Sequence, residues 1–173
     1  MANVKLVDHS VTVKGEIDDT CIDWLYEWAN ETAAQTQRNC RSGESYSSQL
    51  KGSYHALVNE QKGEAQIGSA LEQAFWEEFG TGEYADQSKN GGKPGREGWW
   101  IYIPGQTSMG GGNTYKTKEE AEQMAAYIRA KYGKPAIVTN GKKPNYTLEK
   151  SFTARKPTSI ANLERKLKEE MGE

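Results

Sequence analysis

Residues 67–82 read IGSALEQAFWEEFGTG. Leu71, Phe75 and Phe79 recur every four residues with Ala74 beside them, a spacing that predicts a short helix over 71–79. Two turns of helix have little stability of their own, so other elements must hold this one in place. Gly80 is placed to end it in the left-handed conformation. The chain then leaves through Thr81 and Gly82 into a polar stretch that lasts until Trp99. Two readings compete for Gly80-Thr81-Gly82: a cradle for a phosphate, or a structural corner.

A phosphate loop follows a strand and feeds the start of a helix, whose free amides and dipole meet the anion. Here the order is reversed, and the Gly-x4-Gly-Lys-Ser/Thr spacing is absent. Gly110-Gly111-Gly112 has the glycines without a preceding strand and turn. The corner reading remains. Gly80 reverses the chain, Thr81 ties the bend through its hydroxyl, and Gly82 lets the loop leave without a side-chain clash. Residues 83–98 and 105–117 are expected to be mobile loops flanking an aromatic strand, because long stretches without secondary structure tend to be functional or disordered. A ligand, or ionisable groups of shifted acidity seated against the bend, would count against this reading.

Upstream, Ile17, Cys21, Trp24, Leu25 and Trp28 share one helical stripe, with Asp18 and Asp19 in its first turn. The stripe thins at Ala33 and Ala34, and the helix is expected to end before Gly43. Its two tryptophans need a broad surface, naturally a sheet. Residues 1–15 are read as an N-terminal arm or edge strand from the alternation of Val4, Leu6, Val11 and Val13. Residues 45–70 read as a hairpin turning at Gln61-Lys62-Gly63, with Gly52 and Gly68 inside its strands.

Downstream, residues 99–103 form a strand by their aromatic and β-branched content. Thr117 and Glu120 make a capping box for a helix over 118–132. A short strand and an Asn140-Gly141 turn follow. Leu148 and Phe152 mark another helix, which Pro157 breaks or kinks. Ile160, Leu163, Leu167 and Met171 then resume a one-faced helix that lies across the sheet or docks on a neighbouring subunit.

A chain of 173 residues suits one domain, here 16–173, beside the N-terminal arm. Its hydrophobic fraction of 35% and mean hydropathy of -0.87 are low, which assigns part of the length to loops. Five Trp and nine Tyr supply much of the apolar mass, and such residues suit half-buried surfaces and interfaces. A net charge of -2 gives no general attraction to nucleic acid. Cys21 and Cys40 on one helix stand too far apart for a disulfide. With no apolar run of spanning length, a soluble cytoplasmic chain is expected.

His9 and His55 lie in different elements, and no Cys or His pair has metal-ligand spacing. The residues around Asp86 do not follow the calcium-loop pattern. Neither metal nor cofactor is therefore expected. Glu77 and Glu78 project about 100° apart on a helix and cannot converge on one substrate. One is expected beside the Trp76 ring and the other exposed. A hydrolase using Glu78 would need a second acid from another element.

The pattern resembles the head-tail joining, or tail-completion, proteins of long-tailed bacteriophages. In that family a strand ending Ile-Gly leads to a short helix, an acid, an aromatic and Gly-Thr-Gly. Here these are Ile67-Gly68, Leu71 to Trp76, Glu78, Phe79 and Gly80-Thr81-Gly82. An aromatic strand, 99–103, and a Gly-x-x-Pro turn, Gly141-Lys142-Lys143-Pro144, follow before Leu148, Lys150, Ser151 and Phe152. The likeness covers roughly 16–170. It departs at Ser42-Gly43-Glu44-Ser45, where the family has Thr-Gly-x-Leu, and in an apparent insertion around 118–132.

The resemblance implies an α+β fold, a curved antiparallel sheet packed against a long N-terminal helix and C-terminal helices. It implies a non-enzymatic structural subunit of the virion neck, made in the host cytoplasm. Such a subunit self-associates into a ring and meets portal, adaptor and tail proteins. It takes no small-molecule substrate and no membrane, and nucleic acid only as DNA passing through the channel. The residues singled out are Glu78, Phe79, Gly80, Thr81, Gly82, Tyr84, Trp99 and Trp100, as motif and candidate interface. The rival readings are a small protein-binding adaptor module and a small hydrolase using Glu78.

Overall fold

The computed structural model describes residues 10–43, 47–92, 94–104 and 112–172. Val4 and Leu6, residues 44–46, and 105–111 of the second loop lie outside the described residues. The first element is a 30-residue helix, α1 (Ser10–Asn39). It takes in Val11 and Val13, so these do not belong to an edge strand, and it places Asp18 and Asp19 well inside the helix rather than in its first turn. Once nucleated, a helix gains a hydrogen bond per added residue, and this outweighs a brief alternation.

After α1 come α2 (Ser47–Ser53), the hairpin β1 (His55–Asn59) and β2 (Glu64–Gly68), and α3 (Glu72–Phe79). Then follow β3 (Thr81–Gly82), β4 (Trp100–Tyr102), α4 (Lys118–Tyr132), β5 (Ile137–Thr139), β6 (Gly141–Lys142) and α5 (Thr147–Met171). Among the described residues all strand pairing is antiparallel, in three two-stranded pieces, β1-β2, β3-β6 and β4-β5. The architecture is α+β, with long helices at both ends of the described chain. The expected hairpin is confirmed, with Ala56 opposite Ile67 and Val58 opposite Ala65. Its lead-in is the helix α2, so Gly52 lies in a helix and not in a strand.

The two long helices run antiparallel: Asn39 meets Ser151, Glu31 pairs with Arg155, and Trp24 reaches Ser159. Besides Leu25, the buried positions of α1 are small, Ala29, Thr32, Ala33 and Thr36, with Cys40 just past its end, and those of α5 are Thr147, Ser151 and Ser159. Small residues let backbones approach closely, and buried hydroxyls can bond back to their own helix. Thr36 donates to the Thr32 carbonyl at 2.8 Å and Ser151 to the Thr147 carbonyl at 2.6 Å. A core built this way is compatible with the low hydropathy of the chain.

α1 packs on the hairpin β1-β2 as well as on α5, and its tryptophans meet α5. Trp24 and Trp28 stack at 5.1 Å, Trp28 meets Phe152 at 5.2 Å, and the Trp24 indole N–H donates to the Ser159 carbonyl at 2.7 Å. That partnership with α5, reinforced by Lys166 on Glu27 at 2.7 Å, accounts for Pro157 lying inside a continuous helix. A proline costs an interior helix about 3 kcal/mol; the packed length on either side keeps α5 whole.

A second layer forms where α4 packs on β4 and β5. Ala121 and Ala125 are fully buried beneath it. Half of the capping box is present: Thr117 Oγ1 accepts from Glu120 N, while the Glu120 carboxylate accepts from Lys116 N, one residue before the cap. Thr117→Ala should lower stability by about 1 kcal/mol in urea melts, and an unchanged midpoint would show that α4 is held by packing alone.

Candidate functional site

The corner is built where α3 ends. Gly80 takes φ +74°, ψ -177°, a region reached by glycine and not the left-handed helical well. A Cβ there would sit 2.6 Å from the Lys142 carbonyl oxygen. Gly82, at φ +61°, is enclosed more tightly: a Cβ would strike the Asn140 carbonyl and come 2.5 Å from Trp100 Cη2. Thr81 ties the bend as expected, its hydroxyl accepting from Lys142 N at 3.0 Å. Thr81 and Gly82 pair with Lys142 and Gly141 as β3-β6. Two glycine motifs far apart in sequence are thus one junction.

Behind the bend lies an ionic cluster that the sequence reading did not find. Glu77 is 1% exposed, and its carboxylate meets the Lys142 ammonium at 2.9 Å, Arg41 N at 3.2 Å and the Asn145 amide at 2.7 Å. Arg41 Nε stands at 3.8 Å. Burial alone would raise the Glu77 pKa, but the Lys142 charge and these donors outweigh it and hold the carboxyl below its ordinary value. Such a group is ionised and enclosed, Oε1 taking both hydrogen bonds and Oε2 facing the Lys142 ammonium, which suits a clamp between α3, the end of α1 and the 142–145 segment. It is neither poised for proton transfer nor within reach of a substrate. A group of shifted acidity does therefore sit against the bend, the observation that would count against a plain corner; at 1% exposure Glu77 braces the bend from inside and is closed to a ligand.

Glu78 is also buried, so neither acid of the pair is the exposed one. Its two oxygens accept from Leu148 N at 2.7 Å and Glu149 N at 3.0 Å. It caps α5, supplying from another element the charge that the free first-turn amides favour. Tyr146, just before that helix, holds φ +50°, an uncommon conformation for a non-glycine residue. Its N–H bonds the Glu78 carbonyl and its hydroxyl donates to Asp86 at 2.8 Å.

The polar segment after the corner folds back instead of extending as an arm. Asp86 N donates to the Phe79 carbonyl at 2.8 Å, Ala85 N to Gly82 at 3.1 Å, and Asn90 N to Asp86 at 3.1 Å. Asp86 receives Ser88 in a side-chain turn, and Lys89 reaches Glu149 at 2.6 Å. Hydrogen bonds to Ser88 and Tyr146 lower the Asp86 pKa. Residues 83–92 are sewn to the corner and to the start of α5.

The other singled-out residues divide. Trp100 packs its ring edge over Gly82, with Arg96 5.2 Å from the ring centre. Phe79 packs on Phe75 at 4.9 Å. Trp99 sits apart, bridged through its backbone to Tyr115 with Lys118 near its ring. Tyr84 is exposed under Lys143. Cys21 and Cys40 are free thiols. Burial, chiefly, pushes the Cys40 pKa up to about 11, which keeps it an inert apolar group.

Beside the corner runs an open groove of about 640 Å³ between β2, α3 and the start of α5. Its apolar walls are Ile67, Leu71, Phe75, Phe79, Leu148 and Phe152. No group of three or more His, Cys, Asp or Glu side chains among the described residues is placed to hold a metal ion. No described helix is long and apolar enough to cross a membrane. No protein-family model matches this chain, and no curated protein or solved structure matches it either.

Proposed function

We propose that this chain is a structural subunit of the neck of a long-tailed phage or prophage, joining the filled head to the tail as part of a ring. One observation carries the reading. The two motifs behind the resemblance, Gly80-Thr81-Gly82 and Gly141 to Pro144, are separate in sequence yet form a single braced junction. That junction is locked by Glu77 with Lys142 and linked through Glu78 to the start of α5. A rigid bend of this kind holds an apolar groove at a set angle, which is what a subunit needs in order to meet neighbours in register. The aromatic residues left half-exposed suit contact with protein. Portal, adaptor and tail proteins are the proposed partners, and DNA meets the ring only in the channel.

The test is complementation. Removing the coding sequence from the phage or prophage genome that carries it should leave filled heads and finished tails that do not join. Adding the purified chain to a mixture of the two should restore infectious particles. Particles that mature without the chain, or heads and tails that stay apart after its addition, would overturn the proposal.

A further inference from the structure

We propose that Asn140-Gly141 is a site of spontaneous covalent modification, deamidation through a succinimide, which the braced junction holds closed and which opens when the junction loosens. The chain has two Asn-Gly pairs, Asn90-Gly91 and Asn140-Gly141. Asparagine is most labile before glycine, because no side chain there hinders the attacking nitrogen. The fold cannot discard the second pair. Gly141 holds φ +139°, and a Cβ on it would strike the Thr81 carbonyl oxygen across the β3-β6 pairing. Glycine is thus required at 141, and the residue before it is an asparagine.

The chemistry needs only water. The Gly141 nitrogen loses its proton and bonds to Asn140 Cγ, and the side-chain nitrogen leaves as ammonia. Water then opens the five-membered ring at either carbonyl, which leaves aspartate or isoaspartate at 140. Ring closure needs the Gly141 nitrogen released and turned onto Cγ, and an Asn140 side chain able to meet it.

The folded junction opposes each of these movements. Gly141 N donates to Thr139 Oγ1 at 3.1 Å, and the same hydroxyl donates to the Gly141 carbonyl at 3.1 Å. The Asn140 side-chain amide donates to Glu83 Oε2 at 2.6 Å, while the Asn140 carbonyl accepts from Glu83 N at 3.0 Å. On either side, Thr139 pairs with Trp100 and Gly141 with Gly82. Reaction therefore waits for a local opening that breaks these bonds together. Either product then bars the way back. A carboxylate at 140 faces that of Glu83, where like charges repel, and isoaspartate adds a backbone atom between two paired residues. Modification at 140 is a permanent record that the junction has opened.

Mass spectrometry of the purified chain, held at mildly alkaline pH in buffer and in guanidinium chloride, provides the test. In denaturant Asn90 and Asn140 should deamidate at similar rates. In buffer Asn140 should be slower than in denaturant by about tenfold or more. Thr139→Val removes the acceptor of the Gly141 N–H and should raise the folded rate at Asn140 about tenfold, leaving Asn90 unchanged. Thr139→Ser keeps the hydroxyl and should stay at the wild-type rate. Glu83→Ala, at an exposed position, frees the Asn140 amide and should act in the same direction as Thr139→Val. Equal rates at Asn140 in buffer and in denaturant would overturn the inference. So would a folded rate that neither Thr139→Val nor Glu83→Ala alters, or a chain modified at 140 that unfolds at the unmodified midpoint. None of these readings depends on whether the chain joins heads to tails.

Discussion

Glu77→Ala should destabilise the chain by about 3–5 kcal/mol, the range for removing one partner of a buried ion pair. For a chain of this length that is a fall in melting temperature on the order of 10 °C. Three donors lose their acceptor at once: the Lys142 ammonium, the Arg41 amide and the Asn145 side chain. The effect carries a pH signature. The folded pKa of Glu77 lies below its ordinary value, so its contribution is complete above about pH 4.3. It is lost as the pH falls through the lower folded value. Urea melts from about pH 7 down to about pH 3 should show a steep acid limb in the wild type and a shallower one in Glu77→Gln. Equal limbs would show that Glu77 is not the ionised centre of this clamp.

Gly82→Ala comes second, at about 3 kcal/mol or more. Two terms add. An alanine at φ +61° is strained, by roughly 1–2 kcal/mol. Its methyl also meets the Asn140 carbonyl, which accepts from Glu83 N between strands β5 and β6, and the ring edge of Trp100, which pairs with Thr139. Gly63 separates the terms, because it has the same φ, +61°, and nothing within 4 Å of the added atom. Gly63→Ala should therefore show only the conformational cost. If the two variants unfold at the same denaturant concentration, the close approach of β3 to Asn140 and Trp100 contributes nothing. A shifted tryptophan emission in Gly82→Ala alone would place the disturbance at Trp100.

Parts of this arrangement could be read directly from neighbouring residues. The four-residue spacing of Leu71, Phe75 and Phe79 marked α3, and the glycines that follow marked its reversal, because both are short-range steric effects. Thr117 with Glu120 marked the start of α4 for the same reason. Other parts had no local signal. Nothing local marked Thr32, Thr36, Thr147 and Ser151 as buried; α5 lying against α1 encloses them, and the Thr36 and Ser151 hydroxyls turn back onto their own helices. Pro157 read as a break because the packing that sustains α5 on both sides of it comes from α1. Glu77 and Glu78 read as a weak acid pair because their partners, Lys142, Asn145 and the amides of Leu148 and Glu149, come from far along the chain.

From its sequence alone, then, this chain determined the short helix before residue 80, the helix over 118–132, the hairpin turn at 61–63 and the bend at residues 80–82. All of these follow from backbone sterics and from periods of two and 3.6 residues. Only the tertiary structure decided what the apolar stripe of α1 packs against, that the two glutamates point inward, and that the polar segment closes on the corner. A buried charge or hydroxyl is stable only beside its partner, and no stretch of residues specifies a partner that another element supplies.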